Sequence, residues 1–240
     1  MICERAEPLT GERMAARIYS PFSYPLPRRA GLVPIVAAEA ERLAPAFPVV
    51  WQRGEEGPRL CVLRSLLEDG SGFPPGTAEA LPLLPLLLQA YPFVFPAGPL
   101  REAENPRLLD VAGADLPTDA GAPITTADGR LSKGAELRLR ALSLFERDFA
   151  RTAAIGRALG ELGLLEPWPL RFDLGHGRTC DIEGLAVVPA GAFDTPRLEP
   201  VIARFGMAAA RLLGLHRLSL FRAAALLAAA RAAAAESAPR

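Results

Sequence analysis

Lysine is almost missing from this 240-residue chain: Lys133 is the only one, and arginine supplies the rest of the positive charge. Lys plus Arg and Asp plus Glu both total 27, so the formal net charge is zero and nothing in the bulk charge draws the chain to nucleic acid or to an anionic membrane. The arginine bias and the abundance of alanine are what GC-rich coding produces. Cysteine is scarce as well. Cys3, Cys61 and Cys180 are odd in number and widely spaced, without a C-x-x-C pair, so neither a disulfide framework nor a zinc site is expected. Glycine fingerprints for nucleotides are absent: GSGFPPG at residues 70–76 carries no P-loop Lys, and there is no dinucleotide motif and no nucleophile elbow. No cofactor and no metal is therefore expected. The N-terminal MICERAEPLTGERMAARIYSPF has no apolar core of signal-peptide length, which points to a cytoplasmic protein.

What is present is apolar: half of the residues are hydrophobic, enough for a substantial core and, at this length, for one compact domain. From Ala80 to Leu100 there is no charge at all, but Pro82, Pro85, Pro92, Pro96 and Pro99 would break any bilayer-spanning helix, so the segment reads as buried structure and no integral membrane segment is expected. Residues 1–30 read as an N-terminal arm that packs by a few aromatics or stays partly mobile. In GLVPIVAAEAERLAPAF, Ile35, Val36, Ala40, Leu43 and Phe47 take near-helical spacing, and Pro45 limits that helix.

Two apolar runs, Val49–Trp51 and Leu60–Leu63, flank Gly54-Glu55-Glu56-Gly57 and predict a β-hairpin. Leu81–Ala90 predicts a proline-opened helical segment, and Phe93–Phe95 and Leu108–Val111 predict strands; residues 112–131 read as a surface excursion. From Ser132 to Leu162 the steps Leu142, Phe145, Phe149, Ile155, Leu159 and Leu162 mark one stripe of a long amphipathic helix. Gly163 is placed to cap it, Leu164 to fold back on Leu159, and Pro167 to prevent a restart. Trp168, held extended between Pro167 and Pro169, reads as an anchor against the core, with a place in a binding pocket as the alternative.

Leu170–Leu174 and Thr179–Val188 predict a second hairpin around Gly175-His176-Gly177-Arg178. Thr195 and Pro196 signal a helix start, followed by helices over 200–213 and 218–234 separated at Gly214. Hairpins in the middle and helices late, without βαβ alternation, predict an α+β fold: a single domain over 31–236, with an antiparallel sheet carrying the long amphipathic helix and the C-terminal helices.

Chemistry has few places to sit. His176 and His216 are the only histidines, so any Ser-His-Asp, Cys-His or two-histidine metal site must use them. Asp173, His176, Cys180 and Asp181 form the only local set resembling a ligand or catalytic group, set against the ordinary demand of a hairpin turn for Gly, His and Asp. His216, in the expected helix connection after Gly214, reads as a residue that caps carbonyls.

Four segments carry a family resemblance: LVPIVAAEAERLAPAFPVVW (Leu32–Trp51), YPFVF (Tyr91–Phe95), GELGLLEPWPLRF (Gly160–Phe172) and the run from Glu183 to Leu227. In order and spacing they resemble the SapC family of bacterial proteins, named for association with surface layers. RLCVLRSLL and LPLLPLLLQA depart from the family's aromatic-rich strand and Tyr-Arg-rich helix, so the chain resembles a divergent, alanine-enriched member. The resemblance supplies no catalytic residues. It implies a surface-layer-related role, and together with the lack of a catalytic constellation it predicts a non-catalytic accessory protein with a protein partner, tied to a surface layer or to a surface uptake and modification system. Surface association would then need a leaderless route. A metal-assisted enzyme centred on His176 and a structural surface-layer subunit are the competing readings.

Overall fold

The computed structural model describes residues 3–10, 14, 16–55, 57–95, 107–111 and 121–237. In chain order the strands and helices are β1 (Ala6–Pro8), β2 (Arg17–Ile18), α1 (Pro25–Arg29), β3 (Leu32–Pro34), α2 (Ala40–Leu43), β4 (Val49–Gln52), β5 (Arg59–Leu63), α3 (Leu86–Ala90), β6 (Phe93–Val94), β7 (Leu108–Asp110), β8 (Ala122–Pro123), α4 (Lys133–Glu161), β9 (Glu166–Pro167), β10 (Leu170–Gly175), β11 (Arg178–Ile182), β12 (Leu185–Val187), α5 (Ala190–Phe193), α6 (Glu199–Phe205), α7 (Met207–Ser219) and α8 (Ala223–Glu236). The fold is α+β, as the sequence pattern predicts. Its described strands are distributed over four antiparallel sheets. By contact the chain forms two compact units: residues 1–29 with 84–147, and residues 30–83 with 148–240.

The first unit is built on the three-stranded sheet β1-β7-β6 and the small pair β2-β8. Ile18, Phe93, Leu109, Ile124, Ala135 and Leu142 are among its buried side chains, each removed from water at a gain of roughly 1–3 kcal/mol. Ser132 starts α4, its Oγ accepting from the Ala135 N–H at 3.3 Å, which satisfies one of the amides a helix start leaves open. The charge-free stretch resolves, over residues 80–95, into a 3₁₀ turn (Leu81–Leu83), the five-residue α3 and β6, so no bilayer-length helix forms there; Pro96 to Leu100 lie outside the described residues.

In the second unit the sheet order is β3-β5-β4-β12-β9. The first predicted hairpin is its centre, with Val50 opposite Cys61 and Trp51 opposite Leu60. The second predicted hairpin forms as β10 and β11, but the expected single strand Thr179–Val188 is two. Gly184, at φ +75°, breaks it, and β12 leaves the hairpin to pair with β4 through Ala186 and Trp51. Ile35, Val36, Ala40, Leu43 and Phe47 are all buried, at the 3₁₀ turn Ala37–Glu39 and α2. That turn is held from both sides. Glu39 Oε2 accepts from the Val36 N–H at 3.0 Å, and the Ala37 and Ala38 amides donate to Thr152 Oγ1 (2.9 Å) and Asp148 Oδ2 (3.0 Å) of α4.

The end of α4 follows the predicted cap closely. Gly163 takes φ +62°, its N–H bonds Gly160 O at 3.0 Å, and the Leu164 N–H bonds Leu159 O at 2.9 Å; Leu159 and Leu164 are both buried. These two bonds and the apolar pair are the Schellman arrangement, which satisfies carbonyls that would otherwise end unpaired. Leu162, expected on the buried stripe, lies just past the helix and is 46 % exposed.

Within α4, Gly156 is required for a packing reason. A Cβ there would lie 2.5 Å from the Pro58 carbonyl oxygen, a backbone atom that cannot swing away. In an exposed helix Gly→Ala gains about 1 kcal/mol. Here the overlap reverses the sign, and Gly156→Ala is expected to cost about 1–3 kcal/mol, read as a lower urea midpoint.

The C-terminal helices break at Gly206, at φ +72°, rather than at Gly214. Gly214 stays inside α7, because a glycine alone costs a helix only about 1 kcal/mol and tertiary contacts hold this one. Thr195 does precede the Pro196–Leu198 turn, but its hydroxyl donates to Ala192 O at 3.3 Å instead of capping.

Candidate functional site

The four residues singled out by spacing all lie on the β10–β11 hairpin. Gly175 pairs with Arg178, leaving a two-residue loop in which His176 (φ +53°) and Gly177 (φ +72°) both take left-handed backbone. Such a loop matches the twist of an antiparallel pair. His176 is exposed at its tip. Asp173 Oδ1 accepts the Gly175 N–H at 2.8 Å, tying its carboxylate to the turn. Asp181 pairs with Arg171 at 3.1 Å, and Arg171 also reaches Glu183.

Cys180 is adjacent to Asp181 in β11, so strand alternation sends it to the other face, where Leu170 and Leu174 are also buried. Burial and the neighbouring carboxylates push its thiol above the ordinary value. The hairpin thus places the four residues close in sequence and divides their side chains between two faces and a tip. Among the described residues no group of three or more His, Cys, Asp and Glu is placed to hold a metal ion.

Trp168 is half-buried, and its N–H donates to Leu185 O at 2.8 Å, continuing the edge begun by β9. Beside it lies an open cleft of about 470 Å³, lined by Arg53, Pro167, Pro169, Arg171, Glu183 and Leu185. Arg53 is itself engaged with Leu165 O at 3.3 Å. Glu183 faces the Arg171 guanidinium and, with Asp181, raises its affinity for the proton. The ring of Trp168 is not among the lining groups.

The polar chemistry that the fold does concentrate was not marked by spacing. His216, expected to cap carbonyls between helices, lies inside α7 with no exposed surface. Its Nδ1 is 2.6 Å from Val49 O and its Nε2 is 3.1 Å from Val188 N. A carbonyl can only accept and an amide can only donate, so the proton sits on Nδ1 and the ring is neutral. Burial drives its pKa down from 6.5 to about 4. The Trp51 ring meets it edge-on at 4.6 Å. One turn on, Ser219 Oγ accepts the Val49 N–H at 2.9 Å and donates to His216 O at 2.8 Å. Both backbone groups of Val49 are therefore held by α7, which clamps β4, β12 and the helix together.

A second polar node lies in the first unit. Asp110, fully buried at the end of β7, accepts from the Glu4 N–H (2.8 Å), the Arg5 N–H (3.0 Å) and the Tyr91 hydroxyl (3.0 Å). Burial and the Asp110 carboxylate keep the Tyr91 phenol protonated, well above its ordinary value. Tyr91 stacks edge-on with Tyr24 at 4.9 Å, and Tyr24 with Tyr19 at 6.0 Å. Arg138 of α4 donates to the carbonyls of Tyr91, Gly134 and Tyr19. Buried carboxylates and arginines are tolerated when bonded in this way.

Cys61, in the middle of β5, is fully buried and its thiol is pushed up to about 12, which removes it as a nucleophile near neutral pH. Each node is closed upon backbone groups. Among the described residues, the clefts beside Pro167 and beside Ala37 are lined by neither node.

Comparison with known proteins adds one positive finding. A family model described as SapC matches residues 14–200. No curated protein and no solved structure matches the chain.

Proposed function

The chain belongs to the SapC family, and from that premise we propose that it is a non-catalytic accessory protein, a binding component associated with a bacterial surface layer or with a surface uptake and modification system. The observation that carries this reading is how the two histidines are used. His216 is a neutral clamp between α7 and the sheet, and His176 is the tip of a turn whose acidic neighbours bind backbone and arginine. With both histidines in structural positions among the described residues, this reading makes surfaces the working parts.

Two measurements test the proposal. Gentle affinity isolation from native cells is expected to retain a protein partner, and protease shaving of intact cells is expected to reach the protein; a free monomer confined to the soluble interior would overturn the reading. Removing the His176 imidazole is the control. Asparagine tolerates the left-handed backbone, so His176→Asn is expected to shift stability by less than about 0.5 kcal/mol and to leave partner retention intact. Stoichiometric metal in the native protein that is lost in His176→Asn would instead support the metal-assisted enzyme.

A further inference from the structure

The C-terminal helices hold an asymmetry that the neutral total charge conceals. Between residues 200 and 235 there are five arginines, Arg204, Arg211, Arg217, Arg222 and Arg231, and not one acidic residue. The same segment leaves large apolar side chains in water. Leu218 is 66 % and Phe221 is 70 % exposed, three residues apart at the end of α7 and the turn Leu220–Arg222, and Met207 at the start of α7 is 78 % exposed. On a helical surface positions 218, 221, 222 and 225 share one face. Leu218 and Phe221 therefore form an apolar spot with Arg222 in it and Arg217 at its edge, the Arg217 guanidinium lying 5.7 Å over the Phe221 ring.

We propose that this face of α7–α8 docks on an anionic lipid bilayer, with Leu218 and Phe221 entering the headgroup boundary and Arg217 and Arg222 meeting lipid phosphates. This rests on the reading of the chain as a binding component and names what one of its surfaces binds. Helices that lie in a membrane interface combine bulky apolar residues on one side with Arg or Lys that reach the headgroups.

The helical run Met207–Glu236 is long and apolar enough to cross a bilayer by length and composition. Crossing would tear out the His216 and Ser219 bonds to Val49 and Val188, so a helix lying on the surface is the arrangement that keeps the fold. A second copy is a poorer occupant. A two-fold axis at Leu218–Phe221 would bring Arg217 and Arg222 of both copies together, like charge against like charge. Arg211 is already paired with Glu41, and Arg231 donates to Asp173 O, which leaves Arg217 and Arg222 as the cations at the apolar spot.

The test is sedimentation of the full chain with vesicles, of phosphatidylcholine alone or of phosphatidylcholine with phosphatidylglycerol in equal parts. Partition into the anionic vesicles is expected to exceed that into neutral ones by on the order of tenfold or more, since each arginine near a charged surface contributes about a factor of five, and to fall at high salt. Leu218→Glu with Phe221→Glu is expected to abolish binding, and Arg217→Gln with Arg222→Gln to remove the preference for anionic lipid. All four side chains lie at the surface or its edge, so an unchanged thermal melt certifies the fold of each variant.

No binding to anionic vesicles, or unchanged binding by the double-Glu variant, overturns the lipid proposal. So does a dimer in solution that Leu218→Glu converts to monomer. Each of these leaves partner retention to decide the accessory reading separately.

Discussion

Replacing His216 with alanine is expected to lower the stability of the second unit by about 3–5 kcal/mol, among the largest effects available to a single substitution. The change removes a fully buried ring from contact with Trp51 and strands the Val49 carbonyl and the Val188 N–H away from water. Each orphaned group costs about 1–3 kcal/mol, and the cavity adds to it. The same histidine makes the unit acid-sensitive. Its pKa is about 4 folded against an ordinary 6.5, so between those values the unfolded chain binds a proton that the folded chain refuses. The His216 contribution is complete above pH 6.5 and is lost as pH falls toward 4, by about 3 kcal/mol in all. Urea unfolding across this window is expected to show a declining midpoint in the native protein, and the His216→Ala variant is expected to lose that part of the decline. A flat midpoint in the native protein would mean that the ring is already charged in the fold, and the Nδ1 proton assignment would be wrong.

Neither the His216 clamp nor the Asp110 node is legible in the sequence, because each is made by partners far away in the chain. Elements set by local rules could be read directly: α4 from its apolar stripe, its end from Gly163 and Leu164, the first hairpin from Gly54 to Gly57, and the second from Gly175 to Gly177. In each of these a period or a turn residue is its own cause. The sequence pattern misplaces the break in the C-terminal helices for a related reason. Gly206 and Gly214 are equally glycine, and only Gly206 takes positive φ. The partners of His216 are separated from it by 167 and 28 residues, and both are backbone atoms, so no side-chain motif announces them. Thr152 and Gly156 of α4 carry no signal in a hydrophobic stripe, which does not count them. Yet both are buried, one to bond Ala37 and the other to admit Pro58. Conversely, Asp173, His176, Cys180 and Asp181 looked like a site because sequence proximity resembles spatial proximity, until strand alternation separated them.

Asp110 extends the same logic to the first unit, where loss of the carboxylate is expected to be nearly as damaging. Asp110→Ala leaves the Glu4 and Arg5 amides and the Tyr91 hydroxyl without their acceptor, at a cost of about 3 kcal/mol or more if none finds water. Two of the three donors belong to the segment leading into β1, whose own pairing with β7 is only three residues long. The expected result is therefore local before it is global. Amide exchange at Glu4 and Arg5 should accelerate sharply in Asp110→Ala, together with that of Ala6 to Pro8's neighbours on β7, while exchange along β4 and β5 stays slow. Asp110→Asn keeps an acceptor oxygen of the same reach and should retain part of the protection. Uniform loss across β7 and β5 in both variants would show that Asp110 supports the whole chain, whereas unchanged exchange at Glu4 and Arg5 would show that the carboxylate does not hold the N-terminal strand at all.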